Sequence, residues 1–499
     1  MSIFHYLLDG FSVAFVPTNL LMVLLGSFFG TTLGMIPGIG PVNGIAMLTP
    51  FMFALGLPPE AALILFAAIY FGAEYGNSIS SILLNIPGTS ASIVTTFDGY
   101  PMAKSGRGGS ALAISAIASF FASIFSLLIM MFFAPIMSNW AIHFGPAEYF
   151  ALMVFAFSML STLSGDNLAK GLISSVFGLM LATVGLDAQT GIPRFTYGFM
   201  GLYDGFNFIV VTIGFFAISE VLITMENMEA FKTFKANISK VMISFKEFCF
   251  TLFTIIRSSI VGFIIGLLPG AGGTIATFIS YTIEKKIYAK KGNFGEGDIR
   301  GVASPQAANS SAVGGALIPM LTLGVPGSET TAVMLAALMG MNITPGPMMI
   351  ENHPDIFWGL IASMFIANFL LLSLNLPLVR IFVKILLVPK WILMPVIACI
   401  SCIAVYTINF NIFDIFLMAI FGLIGYFMRK LQFPLAPVIL GLVLGPLLET
   451  NLRRALIISS GGVDIFFSSY ISIFLWILTI FGIATPFIIK IIKKHTELH

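Results

Sequence analysis

Two sets of short polar side chains stand out in an otherwise apolar sequence. The first holds Asn77, Ser78, Ser80, Asn85, Thr89 and Ser90, and the second holds Asn309, Ser310, Ser311, Ser328 and Thr330. These are neutral hydrogen-bond donors, and each set runs into a Pro-Gly pair that starts a new half-helix. The N-terminus of a half-helix exposes N–H groups and carries about half a positive charge, which favours an anion. Thr89, Ser90, Ser328 and Thr330 are therefore placed to cap a half-helix or to donate to a carboxylate. No Arg or Lys lies in these stretches. An anion held here would rest on dipoles, hydroxyls, amides and a co-bound cation. Glu74 and Glu329 lie beside the breaks, and an acid within a membrane segment is a functional candidate by default. A Na+ near Glu74, Glu329 and the break carbonyls is the one metal position the sequence suggests, and no catalytic set is found. Ser, Thr and Gly also serve routine helix packing in membranes. The argument for binding rests on the repetition of the clusters, not on any single residue.

The elements that must position these residues are interrupted helices. Gly34-Met35-Ile36-Pro37-Gly38-Ile39-Gly40 is flanked by apolar runs, and Gly266-Leu267-Leu268-Pro269-Gly270-Ala271-Gly272 repeats it. Pro removes a backbone donor and clashes with the preceding turn, and Gly relaxes the chain further. Freed N–H and C=O groups are tolerated at membrane depth only inside protein or along a watery cavity. Further breaks follow at Pro87-Gly88 and at Pro326-Gly327. Gly34 corresponds to Gly266 and Pro87-Gly88 to Pro326-Gly327, and the two spacings differ by seven residues. Breaks at corresponding places in two halves of a membrane protein mark a binding site.

The 499-residue chain is 58% hydrophobic and 9% charged, with mean hydropathy +1.01. A soluble domain carries about 25% charged residues. The repeated long apolar runs predict an all-α polytopic membrane protein with roughly 11–13 crossings. A net charge of +2 gives no footprint for nucleic acid. The opening MSIFHYLLDG lacks the basic flank and cleavage site of a secretory signal, so its apolar run is expected to be retained. Cys399 and Cys402 lie in an apolar run, and with Cys249 they read as small membrane-helix residues.

Residues 11–33 read as one membrane segment, and 61–84 return through the membrane. Crossings follow at about 110–137, 147–163, 168–186 and 205–224. Residues 226–247 read as a basic amphipathic helix on the membrane face. The chain thus divides into a first membrane half at 1–225, a cytoplasmic amphipathic linker at 226–256 and a second membrane half at 257–499. Crossings at about 356–378, 391–407, 412–428, 434–448 and 466–491 complete the second half. Basic loops mark the cytoplasm. Lys104 and Arg107 follow the Pro-Gly break in the first half, whereas Lys285 to Arg300 precede it in the second. The halves therefore read as inverted structural repeats. The segment 257–283 is too short for two spans of about 20 residues, so it reads as a re-entrant hairpin turning at Pro269-Gly270. By symmetry Pro37-Gly38 turns another.

No Gly-Lys-Ser/Thr occurs, which excludes a P-loop ATP-driven pump. Gly295-Glu296-Gly297-Asp298 fits the Gly-x-Gly-Asp pattern of intramembrane aspartyl proteases, with Tyr203-Asp204 as partner. That chemistry needs both acids inside adjacent membrane helices. Here Asp298 lies in a charged loop and Asp204 ahead of a crossing. A channel reading finds no filter signature.

Several stretches resemble the large membrane subunit of the tripartite tricarboxylate transporter family. They are GTTLGMIPGIGPVNGIAMLTPF, YGNSISSILLNIPGTSASIVTTFDGYPMAKSGRGG, KGLISSVFGLMLATVGLDAQTGIPRFTYG and FGEGDIRGVASPQAANSSAVGGALIPMLTLGVPGSETTAVMLAALM. The likeness spans about residues 20 to 450. The resemblance implies a secondary, cation-driven importer of tri- or dicarboxylates such as citrate, with a small membrane subunit of about four helices as partner. It implies a periplasmic substrate-binding protein and a place in the bacterial inner membrane. The coupling cation is Na+ or H+, and no cofactor is expected. A stand-alone transporter of another small organic anion is the other transport reading.

Overall fold

Two helices, each enclosed by protein along its length, carry the polar clusters. The computed structural model describes residues 3–36, 40–163, 168–187, 189–226, 241–270, 272–289, 292–341, 343–379, 381 and 390–481. The chain is an all-α polytopic membrane protein. Its helices are α1 (Ile3–Ala14), α2 (Pro17–Met35), α3 (Gly40–Ala54), α4 (Pro59–Leu84), α5 (Ile93–Met102), α6 (Gly108–Ala141), α7 (Pro146–Leu163), α8 (Leu168–Ala182) and α9 (Phe208–Glu226). They continue with α10 (Phe245–Gly266), α11 (Gly272–Ile287), α12 (Ile299–Leu323), α13 (Glu329–Gly340), α14 (Pro354–Asn375), α15 (Lys390–Asn409), α16 (Ile412–Lys430), α17 (Ala436–Ile458) and α18 (Tyr470–Phe481). Among the described residues, seven helices are long and apolar enough to cross a membrane.

The buried pair is α4 and α12. Every residue from Ala61 to Leu83 and from Ile299 to Leu323 is buried. Glycines set how closely their neighbours approach. Gly26, Gly30 and Gly34 of α2 lie against the α4 backbone at Leu65, Ile69 and Ala73. Gly262 and Gly266 of α10 lie in the same way against Ala308 and Ala312 of α12. Without an aqueous hydrophobic drive between helices, such close backbone contact is what holds membrane helices together.

The four interruptions share local geometry. Asn85 ends α4 in the left-handed conformation at φ 57°, and Gly324 ends α12 at φ 68°. Asn and Gly are the residues that adopt this conformation at least cost. Each break then restarts with a capping box: Thr89 pairs with Ser92, and Ser328 with Thr331. Gly40 opens α3 at φ 57° and Gly272 opens α11 at φ 55°. Pro37, Gly38 and Ala271 lie outside the described residues.

Three sequence expectations change. Residues 11–33 are not one segment, because Pro17 occupies the first turn of α2 and the chain breaks after Ala14. Pro fits a first turn and cannot continue an existing helix. The α1 helix packs instead on α14, with Tyr6 stacked on Trp358 at 5.8 Å. Residues 241–244 are not helical, because the Ser244–Glu247 capping box starts α10 at Phe245. Residues 227–240 of the expected amphipathic helix lie outside the described residues. The α10 helix is thus 22 residues long, about 33 Å, against a hydrocarbon core of about 30 Å. The first arm is therefore long enough to span, whereas α11, at 16 residues or about 24 Å, is not, and the turn between the two is present. A two-residue strand pair, Gly185–Leu186 with Pro193–Arg194, also forms; its short antiparallel register has no signal in the apolar pattern.

Candidate functional site

The α4 segment Glu74-Tyr75-Gly76-Asn77 puts Glu74 and Asn77 one helical turn apart on one face. Asn77 Nδ2 donates to Glu74 Oε2 at 2.6 Å and to Thr89 Oγ1 at 3.0 Å. Asn309 Nδ2, from the middle of α12, donates to the same Glu74 oxygen at 2.6 Å. One buried carboxylate oxygen thus collects an amide from each polar cluster. No Lys, Arg or His forms an ion pair with Glu74 among the described residues.

All four breaks converge on this carboxylate. A Cβ on Gly88 would overlap the carbonyl oxygen of Gly34 and lie 2.9 Å from Asn77 Cα, so the first two breaks touch. Gly270 N–H donates to the Gly327 carbonyl at 3.0 Å, which joins the other two. The hydroxyls of Ser90 and Thr274 lie 2.7 Å apart and tie the sets together. Tyr70, one turn before Glu74, places its hydroxyl 3.0 Å from Ser328 Oγ. Gly273 lies directly against Asn309 Oδ1, where a side chain would overlap it.

The expected residues divide into two groups. Asn77, Thr89, Ser90, Asn309 and Ser328 gather here, with Thr330 two residues beyond Ser328 in the first turn of α13. Ser310 is buried beside Asn309, and neither its hydroxyl nor the Asn77 side-chain oxygen Oδ1 has a partner. By contrast, Ser78 donates to the Tyr75 carbonyl, Ser80 to the Asn77 carbonyl and Ser311 to the Ser259 carbonyl. These three are spent on helix backbone, a common fate of buried serines. Asn85 is exposed and acts as the left-handed end of α4. Glu329, in the first turn of α13, is exposed. Gly34, Gly40, Gly88, Gly266, Gly270, Gly272 and Gly327 all sit at the breaks, as do Pro87, Pro269 and Pro326. Tyr70 and Thr274 were not expected, since only the tertiary approach of distant segments gives them their partners.

Two other charged clusters do different work. Asp98 Oδ1 accepts the N–H groups of Gly295, Gly297 and Asp298 at 2.8, 2.9 and 2.8 Å, and Tyr281 donates to Oδ2 at 2.8 Å. This carboxylate locks α5 to the loop before α12. Asp298 caps α12 and pairs with Arg300 at 2.7 Å. Burial opposes its charge, but the Arg300 hydrogen bonds win and hold the carboxyl below its ordinary range. Asp204 lines a separate cavity of about 340 Å³ with Asp187, Arg194, Glu449 and Arg453. Asp298 is thus engaged with Arg300 while Asp204 lines another cavity, and no protease pair is seen. In that cavity Arg453 pairs with Asp187 at 2.8 Å and with Glu449 at 2.6 Å, while Arg194 pairs with Glu449 at 2.8 Å. Its charges satisfy one another, with the Arg453 hydrogen bond holding Asp187 well below the usual carboxylate range. Glu220 is likewise paired, with Arg429.

No three His, Cys, Asp or Glu side chains converge as a metal set among the described residues. What the breaks present is a row of neutral donors, two half-helix starts and one acid. That combination can hold an anion without a fixed cationic side chain.

The tripartite tricarboxylate transporter TctA family model matches residues 20–440. The chain is 41% identical over 463 residues to a protein of Agrobacterium vitis described as an uncharacterized 52.8 kDa protein in the TAR-I ttuC' 3' region, covering 93% of this chain and 92% of that one. It is 44% identical over 211 residues to an uncharacterized protein in the TAR-II ttuC' 3' region of the same organism, covering 42% of this chain and 87% of that one. No solved structure matches.

Proposed function

Since the chain belongs to the tripartite tricarboxylate transporter TctA family, and is a membrane transport subunit and not an enzyme, we propose that it is a cation-coupled symporter importing tri- or dicarboxylates such as citrate. The observation that carries this reading is the meeting of four helix breaks around Glu74, Asn77 and Asn309. In the proposal the halves at 1–225 and 257–499, joined by the linker at 226–256, are inverted repeats. Shared support comes from the paired glycine contacts, the matched left-handed helix ends and the matched capping boxes. The substrate's carboxylates lie between the breaks, bonded by Asn77, Asn309 and the hydroxyls of Thr89, Ser90, Ser328 and Thr330. The energy comes from Na+ or H+ moving inward. A periplasmic binding protein delivers the substrate, and a small membrane subunit of about four helices completes the inner-membrane complex.

The test is uptake by the chain reconstituted with its partner subunits, over a panel of tri-, di- and monocarboxylates, with and without Na+ and a proton gradient. Saturable accumulation of a tri- or dicarboxylate that collapses when the cation gradient is removed is the expected result. Accumulation of monocarboxylates alone, or uptake indifferent to any cation gradient, contradicts the reading.

A further inference from the structure

We infer that Glu74 holds the amides of Asn77 and Asn309 until a substrate carboxylate takes them, and that its protonation, which frees both amides, is what couples proton entry to anion entry. The inference rests on the reading that a carboxylate binds at the breaks, and it names the group and the ion through which coupling works.

The geometry has three parts. First, both amides donate to the same oxygen of Glu74, each at 2.6 Å, so the donors best placed for an incoming anion are already occupied by an internal one. Second, the charged groups near Glu74 are few. The α2, α3 and α6 helices packed against α4 contain no ionisable side chain. The α12 and α14 helices carry theirs only in the first turn, as Arg300 and Asp355, while α5 carries Asp98 and Tyr100. Glu60 in the first turn of α4, Tyr70 and Tyr75 on the same helix, Glu329 on α13, and Tyr281, Glu284, Lys285 and Lys286 on α11 complete the list, with Lys285 and Lys286 in the last turn of α11 and Glu284 paired with Arg257. Glu74 is thus buried with amide dipoles but no cationic partner. An anion entering beside it would place like charges together at low dielectric, which is strongly unfavourable unless one is neutralised. Third, Asn77 Oδ1, on the side chain that donates to Glu74, is a buried acceptor without a partner, with capacity left for a donor such as a substrate hydroxyl, and Ser310, next in the chain to Asn309, has a buried hydroxyl without a partner. Unmade bonds at buried polar atoms carry a cost that a bound group removes.

The step balances simply. One proton adds to the Glu74 carboxylate to give a carboxyl group. The Asn77 and Asn309 N–H groups turn to the substrate's carboxylate. On the cytoplasmic side the anion leaves, the proton leaves, and the amides return to Glu74. A proton needs only one lone pair of the Glu74 carboxylate, whereas a metal ion requires a shell of several oxygens, and amide hydrogens already occupy Oε2.

Two measurements on the assembled transporter test this. In weakly buffered solution at about pH 8, wild-type protein titrated with citrate should take up about one proton per bound anion, and the Glu74→Gln variant none. Gln cannot take up the proton, so net uptake driven by a proton gradient should fall at least about 50-fold in this variant. Binding without proton uptake in the wild type overturns the inference while leaving the carboxylate site intact. So does proton-driven accumulation by Glu74→Gln at the wild-type rate. Failure of any carboxylate to bind the wild type sinks the underlying reading instead. If Glu74→Gln does not assemble, the wild-type proton count decides alone.

Discussion

Replacing Asn77 and Asn309 together by alanine is expected to reduce carboxylate uptake by about two orders of magnitude or more, while the protein still inserts into the membrane. A hydrogen bond to a charged group contributes about 1.5–3 kcal/mol net, and both amides are assigned to the bound carboxylate. Loss of the pair therefore removes roughly 3–6 kcal/mol of ligand stabilisation, and each 1.4 kcal/mol is about tenfold. The double variant also strips Glu74 Oε2 of both donors, so some loss of thermal stability accompanies the loss of transport. Ser311→Ala is the control. Its hydroxyl serves the Ser259 carbonyl in the α10–α12 contact, so uptake should change by less than about threefold. Radiolabelled uptake with surface-expression controls reads both variants. Wild-type transport by the double alanine variant would contradict the placement of the site.

The second large effect concerns the breaks themselves. Gly327→Val is expected to abolish measurable uptake, with insertion retained. A Cβ at Gly327 would lie 2.7 Å from Ala316 Cα and 2.9 Å from its carbonyl oxygen, against the α12 backbone and not a flexible side chain. Overpacking of this kind costs about 1–3 kcal/mol when side chains alone must move, and here backbone must move too. The Gly270–Gly327 hydrogen bond that joins two breaks would be displaced with it. Gly346→Val offers the contrast, because a Cβ there meets nothing within 4 Å. Uptake by Gly346→Val should remain near wild type. Equal loss in both variants would show that transport fails for reasons unrelated to the joined breaks.

Much of this arrangement was legible in the sequence, for physical reasons. Pro-Gly pairs inside apolar runs have to end helices, and the polar side chains beside them have to be buried. The structure brings Asn77, Thr89, Asn309 and Ser328, picked out by that logic, to one place. Ser78, Ser80 and Ser311 turn to nearby backbone carbonyls instead, and composition does not distinguish a buried serine satisfied in this way from one that meets a ligand. Two local signals in the sequence mark helix starts. Pro17 is suited to the first turn of a helix, and Ser244-Phe245-Lys246-Glu247 is a capping-box sequence. Each marks a helix start that the hydropathy pattern ran through. Other features were beyond reach. The Tyr70–Ser328 and Ser90–Thr274 contacts join residues 258 and 184 positions apart. Such pairings follow from how the breaks dock, which one sequence does not encode locally.

The central claim is that the four breaks enclose one carboxylate site. Ser90 is exposed and its hydroxyl lies 2.7 Å from Thr274 at the junction of the two sets. A Ser90→Cys variant, with Cys249, Cys399 and Cys402 changed to serine, gives a single thiol at that junction. The decisive measurement is its rate of maleimide labelling with and without saturating transported carboxylate. Labelling slowed about tenfold or more by the carboxylate, and unchanged by a monocarboxylate that is not transported, is the result expected of a shared site. Labelling at the same rate in the presence of a carboxylate the protein does transport would place the substrate elsewhere.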